Sequence, residues 1–211
     1  MHIEIFDRME ECTEAEVQRM LPLVNAQRRE QALRYKHVAG QYCCLKSWLM
    51  LSNHVLHRRC LNDAQQTPPR TYLQWAYNQH GKPFIPEGPY FSISHCKEGI
   101  AVAVDDAPIG IDIEAIRHAD EELIKRTMNE EEQVAIAAAA EPDRMFTWFW
   151  TRKEAVVKAQ GTGIESFEQL QRVLENPDER AIRTIEKEKY IYSIAYGKLH
   201  CFGAEVQTAD V

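Results

Sequence analysis

The segment "IGIDIE" carries two carboxylates separated by one residue. Side chains two apart on a strand share a face, so Asp112 and Glu114 converge on one patch while Ile109, Ile111 and Ile113 take the other. Gly110, on the acidic face, leaves room for a ligand or for another stretch of backbone. Two like charges this close are costly unless solvent or a cation compensates them. A hard divalent ion is the natural compensation, since Mg²⁺ is held by one or two carboxylates, with phosphate oxygens and waters completing its octahedron. The competing reading is a half-buried strand with a wet acidic outer face, and spacing alone favours it.

A second group of ionisable residues lies against an aromatic run in "MFTWFWTRKEAVVKAQGTG". Glu154 and Lys158 are one helical turn apart on one face, and Phe146 and Trp150 continue that stripe backwards. The pair is either a surface ion pair worth a few tenths of a kcal/mol or a third carboxylate and a cation carried on a rigid helix. A carboxylate near apolar rings has its pKa raised, which suits a general base. Basic and hydroxyl residues supply the remaining parts. Ser94 and His95 end a strand, Lys82 sits in the turn "GKP", and Arg28, Arg29, Arg34, Lys36 and His37 crowd "NAQRREQALRYKH". Singly each reads as a solvated side chain. Beside an acid pair they make a plausible phosphate site, cations for the oxygens and carboxylates for a metal. Neither glycine-rich phosphate motif is present, nor is a G-x-S-x-G elbow. His54, His57 and Cys60 recur at helical spacing, but a fourth metal ligand is not evident.

The elements that must position these residues follow from pattern. "HIEIF" alternates as a first strand. Residues 13–57 read as helical, interrupted near Pro22 and Gly40. "NDAQQTPPR" is a loop and "GKPFIPEGP" a rigid, turn-rich connection. "YFSISH", "GIAVAV" and "IGIDIE" are strands, with Phe91 and Ile93 on one face and Ser92 and Ser94 on the other. Residues 120–140 and 143–160 read as two helices, the second closed by the glycines of "GTG". "YIYSIAY" and "LHCFGAEV" read as strands. This order predicts an α/β (α+β) chain in two closely packed halves with a cleft between them.

Bulk properties narrow the function classes. The 211 residues are 45% hydrophobic and 27% charged, ordinary for a globular protein large enough to bury a core. The net charge of −7 argues against broad nucleic-acid binding. No apolar run approaches the roughly 20 residues of a membrane helix. The start shows no signal-peptide pattern, and the six cysteines form no C-x-x-C pair. The expected compartment is the cytoplasm.

The successive motifs "GKP", "FSISH", "IGIDIE" and "WTRKEAVVKAQGTG" resemble those of the 4′-phosphopantetheinyl transferases, in their long, Sfp-type branch. The resemblance implies two similar halves related by a pseudo-two-fold: residues 1–104 with the coenzyme A nucleotide contacts, and 105–211 with the metal site and catalytic helix. It implies a monomer that moves the 4′-phosphopantetheine arm of coenzyme A onto a serine of an apo carrier protein (acyl, peptidyl or aryl), with Mg²⁺ or Mn²⁺, releasing adenosine 3′,5′-bisphosphate. Asp112, Glu114 and Glu154 match the metal ligands, and Glu154 would take the serine proton. Lys158 matches the pyrophosphate lysine, and Asp112 completes the catalytic set. Ser94 and His95 match groups that hold coenzyme A phosphates, Lys82 lies near the nucleotide, and Arg28 matches a residue for the 3′-phosphate. Gln31, Cys43, Cys44 and Ser92 depart from the family pattern. The first three put the 3′-phosphate grip in question, with Arg29 or Arg34 as substitutes.

Overall fold

The computed structural model describes residues 1–62, 74–175 and 182–197, without the side chains of residues 56–62. Alternating or wholly apolar segments become strands because each can bury one or both faces. Strand β1 (His2–Phe6), β4 (Tyr90–Cys96) and β5 (Gly99–Asp105) form an antiparallel sheet in the order β1-β5-β4. Strand β6 (Ile109–Ala115), β7 (Ile182–Glu186) and β8 (Tyr190–Tyr196) form a second, in the order β6-β8-β7. Each sheet thus places its first strand beside its third and its second at the far edge. Helices separate the first strand from the closing hairpin in both. A two-residue ladder, β2 (Ala76–Tyr77) with β3 (Pro83–Phe84), holds the turn between them.

Strand β5 shows how the two sheets join. Ile100, Val102 and Val104 enter a core with Leu45, Trp48, Leu51 and Val55 of α3 (Val38–Asn62). Its alternate residues, Ala101 and Ala103, pack on Ile109, Ile111 and Ile113 of β6. Small side chains on that face let the two sheets approach closely. Ser92 Oγ, on β4, accepts from the Ile111 backbone N–H at 3.0 Å, tying the sheets directly.

The helices are more divided than the pattern suggests. α1 (Glu14–Met20) ends in a 3-10 turn at Leu21–Leu23, which contains Pro22 as expected. α2 (Ala26–Leu33) follows. α3 then runs through Gly40, so the interruption expected there falls earlier, at residues 34–37. A Cβ on Gly40 would meet the Tyr35 ring at 2.7 Å, so that glycine serves close packing at the break. The helix expected over 120–140 is two: α4 (Glu121–Thr127) and α5 (Glu130–Ala138). Asn129 starts the second, its side chain accepting from Glu132 N–H in a reciprocal capping box. α6 (Pro142–Gln160) matches expectation and ends at Gly161, whose φ of 76° closes the helix. α7 (Phe167–Arg172) and β7 were not foreseen. The loop expected at 62–70 lies outside the described residues save Asn62, which closes α3. The strand expected at "LHCFGAEV" lies outside them entirely. No helix among the described residues is long and apolar enough to cross a membrane.

Candidate active site

α6 crosses β6 at unusually short range. A Cβ on Gly110 would stand 1.9 Å from the Ala155 carbonyl oxygen and 2.4 Å from the Ala159 nitrogen. The room left by that glycine is therefore taken by backbone. This close crossing decides the fate of the acidic face. Asp112 is not wet: it is 2% exposed, under α6 and between β4 and β8. A carboxylate so buried needs partners. Its Oδ1 accepts from Lys158 Nζ at 2.6 Å and from Ser94 Oγ at 2.8 Å, and Lys158 also donates to Ser94 Oγ at 3.0 Å. Lys158 thus pairs from α6 with Asp112 of β6, where sequence spacing suggested Glu154.

Asp112 Oδ2 is buried and has no hydrogen-bond partner. Glu114 and Glu154 are both half-buried, and each lies close enough to Asp112 to feel its charge. Burial raises the Glu154 pKa first, the Asp112 charge raises it further, Lys158 opposes, and Glu114 adds a smaller push upwards. Glu114 is likewise raised by burial and then by Asp112, against Arg117, Lys158 and the Trp150 indole. That indole N–H is buried and makes no hydrogen bond of normal geometry, so its effect on Glu114 is that of a nearby dipole. Phe146 and Trp150 stack at 6.0 Å, as the stripe implied, and the upward shift of Glu154 comes first from burial and then from the neighbouring Asp112 charge. The three acids sense one another without closing to a preformed metal nest. Among the described residues no cluster of three His, Cys, Asp or Glu side chains stands ready to hold an ion. The chemistry of the set nevertheless fits one: three hard oxygen donors, one an orphaned buried oxygen.

A cavity of about 380 Å³ lies beside this cluster, lined by Glu154 and Lys158 with Lys82, Ser92, Ile93 and Gly163 among others; Asp112 and Glu114 do not line it. Lys82 Nζ donates to the Lys158 and Ile109 carbonyls, and burial lowers its pKa to about 8. Asn78, which sequence reasoning passed over, fixes that turn: its side chain accepts from the Lys82 N–H at 2.8 Å and donates to the Gly161 carbonyl at 2.8 Å. The N–x–x–G–K spacing is its only sequence signal. Lys153 was read merely as one charge beside the aromatic run. It is fully buried, bonded to Glu132 at 2.8 Å and to the Leu170 and Gln171 carbonyls, and so locks α6 to α5 and α7.

A second cavity, about 200 Å³, shares Pro83, Phe91 and Ile93 with the first. Arg28, Gln31, Trp48, Trp75, Tyr77 and His95 line it. The alternation of β4 thus sends Ser94 to the acidic site and His95 to this second space. His95 is exposed by surface area yet crowded enough that desolvation, with the Lys158 charge, lowers its pKa. Arg29 donates to the Leu21 carbonyl and Arg34 pairs with Glu30, and neither lines this cavity. His54 bonds Glu4 at 2.6 Å, a helix-to-strand contact, while the side chains of His57 and Cys60 lie outside the described residues. A larger cavity, about 510 Å³, lies elsewhere, between α5 and α6, and holds none of the predicted site residues.

Comparison with known proteins adds an independent finding. Residues 108–209 match the profile of the ACPS family, the 4′-phosphopantetheinyl transferase superfamily. The chain is 29% identical to the 4′-phosphopantetheinyl transferase gsp of Aneurinibacillus migulanus over 67% of its own length and 57% of that protein's. It is 30% identical to a 4′-phosphopantetheinyl transferase of Bacillus subtilis over 71% of its length and 65% of the relative's. It is also 39% identical, over 40% of its length and 47% of the relative's, to the 4′-phosphopantetheinyl transferase AcpT of Escherichia coli K12. The matched region therefore spans under two thirds of each of these relatives.

Proposed function

The chain belongs to the 4′-phosphopantetheinyl transferase superfamily, and from that premise we propose that it transfers 4′-phosphopantetheine from coenzyme A to a serine hydroxyl of an apo carrier protein. One observation carries the reading. Asp112 is buried on Lys158 with one oxygen left without a hydrogen-bond partner, close enough to Glu114 and Glu154 to perturb both, and Lys158 and Glu154 line one of two adjoining cavities. Arg28 and aromatic rings line the other. A diphosphate joined to a nucleoside has that arrangement of charge and ring.

In this reading Asp112, Glu114 and Glu154 would hold a divalent cation, Mg²⁺ or Mn²⁺, which would neutralise charge on the diphosphate oxygens. Lys158, fixed between Asp112 and Ser94, presents its remaining donor capacity to the same oxygens. The serine oxygen forms a bond to the phosphorus that carries pantetheine, the bridging P–O bond breaks, and adenosine 3′,5′-bisphosphate leaves. Glu154, its proton affinity raised by burial, takes the serine proton. Lys82 and Asn78 hold the nucleotide-side turn against the end of α6, so the two cavities keep one geometry. Residues 1–104 and 105–211 are the two halves, with the substrate between them. We place the protein in the cytoplasm as a monomer.

The test is loading. Purified protein with Mg²⁺, coenzyme A and a panel of apo acyl, peptidyl and aryl carriers is expected to add about 340 Da to at least one, the mass of a phosphopantetheine bonded to serine. No mass gain on any carrier defeats the proposal.

A further inference from the structure

We infer that the nucleotide cavity binds the adenosine end of coenzyme A without gripping its 3′-phosphate, so that 3′-dephospho-coenzyme A is an almost equal donor. The inference rests on the transferase reading and sharpens it.

A phosphate is gripped by an arginine through two parallel N–H donors on one edge of the guanidinium. Arg28, the cation deepest in this cavity, has both outer edges in use. Its Nε and Nη2 donate to the Cys44 carbonyl at 2.9 and 2.6 Å. Nη2 also donates to Ser47 Oγ at 3.1 Å, and Nη1 to Gln31 Oε1 at 3.0 Å. One Nη1 hydrogen remains. The guanidinium also lies 5.5 and 5.6 Å from the Trp48 and Trp75 ring centres. It therefore works as a bracket between α2 and α3. Gln31 closes its outward side, and its own amide reaches the Tyr77 hydroxyl at 3.5 Å.

Among the described residues no other cation replaces it. Among the described residues lining the cavity, His95 alone could also carry positive charge, and it stands at the exposed rim. What the cavity offers instead is an apolar lining, the exposed Tyr77 ring over the largely buried Trp48, Trp75 and Phe91, suited to a base rather than to a dianion.

The chemistry is unchanged by the missing group. The serine oxygen still displaces the bridging oxygen at the pantetheine phosphorus and the proton still goes to Glu154. The leaving group becomes adenosine 5′-monophosphate in place of adenosine 3′,5′-bisphosphate.

The experiment measures both donors on the full chain with Mg²⁺, by calorimetric binding and by carrier loading read as mass gain with release of the adenosine nucleotide. Two charge-assisted hydrogen bonds to a 3′-phosphate would make coenzyme A preferred on the order of 100-fold. A preference below about tenfold in Kd supports the inference, and one above it overturns it. A variant guards against a chance result. Gln31→Lys removes the acceptor that occupies Nη1 and adds a cation, and should raise the preference for coenzyme A at least about tenfold. An unchanged ratio in that variant counts against the inference. If both donors bind but neither loads a carrier, the transferase reading fails while the binding ratio still decides this one. If neither binds, both fall.

Discussion

Lys153 and Lys158 stand on successive turns of α6 and are used in opposite ways. Lys153 is sealed. Its side chain has no exposed surface, and its three protons find Glu132, Leu170 O and Gln171 O. Burial lowers its pKa and Glu132 pulls it back up, the balance expected of a compensated interior ion pair. Lys158 keeps 28% of its side chain exposed, to a cavity, and its partner Asp112 retains an oxygen with no hydrogen bond. The difference teaches where to look for chemistry in a charged helix. A buried charge with every donor answered holds the fold together. A charge whose partner is left half-answered keeps capacity for a ligand, which is the basis of the role proposed for Lys158.

Separating the two effects is the sharpest way to break that comparison. Glu154→Gln on the open side should cut carrier loading by at least about 10³-fold, roughly 4 kcal/mol of barrier, because the proposed base and one proposed metal ligand go together. Its melting temperature should move by no more than about 2 °C, since a half-buried acid held away from its preferred state contributes little to stability. Turnover close to the parent's would remove Glu154 from its role.

On the sealed side the expected pattern is reversed. Glu132→Ala strands the Lys153 charge without its acid, which should cost about 3–5 kcal/mol in urea unfolding. The residual folded protein should load carriers normally. Replacing both partners, Glu132→Leu with Lys153→Met, should recover most of that loss, since an apolar pair of similar volume often serves as well as the ion pair. A single variant that loses activity without losing stability would show that Lys153 belongs with the site after all.

Much of the framework was legible. The alternation of "FSISH" and "IGIDIE" gave the faces of β4 and β6 correctly, because period-two patterning fixes which residues share a side. The span of α6 and its glycine stop followed from local rules. The failures have physical causes. Helix formers in "NEEEQVAIAAAA" masked the capping box of Asn129, a local signal that propensity outweighed in the reading. The breaking power of Gly40 was overestimated, since packing against Tyr35 lets a glycine stay inside a helix. The burial of Asp112 could not be read at all. It depends on α6 crossing β6 at Gly110, a contact between segments some forty residues apart. The sealing of Lys153 by Glu132 and α7, and the sequestering of Arg28 by Cys44 and Ser47, are likewise tertiary. Residue type announced the charges, and only the fold decided which of them are free.

Lys82 tests the middle of this scale with a smaller effect. Like Lys153, it gives its protons to backbone carbonyls, Lys158 O and Ile109 O, but Lys153 has a carboxylate as well. Burial alone lowers its pKa from 10.5 to about 8. The sign follows from proton counting. Between pH 8 and 10.5 the folded chain has released this proton while the unfolded chain still holds it, so unfolding takes up a proton and the folded state gains stability as pH rises. Below pH 8 both states carry the charge and the burial cost is present in full. Comparing the parent with Lys82→Met by urea unfolding at pH 7 and pH 10 isolates the effect. The parent should gain on the order of 1 kcal/mol relative to the variant at the higher pH, after allowance for solvent screening. A difference between the two proteins that stays constant with pH would mean that the Lys82 ammonium is as well compensated as that of Lys153, and the clasp between the turn and α6 would then belong to the sealed class.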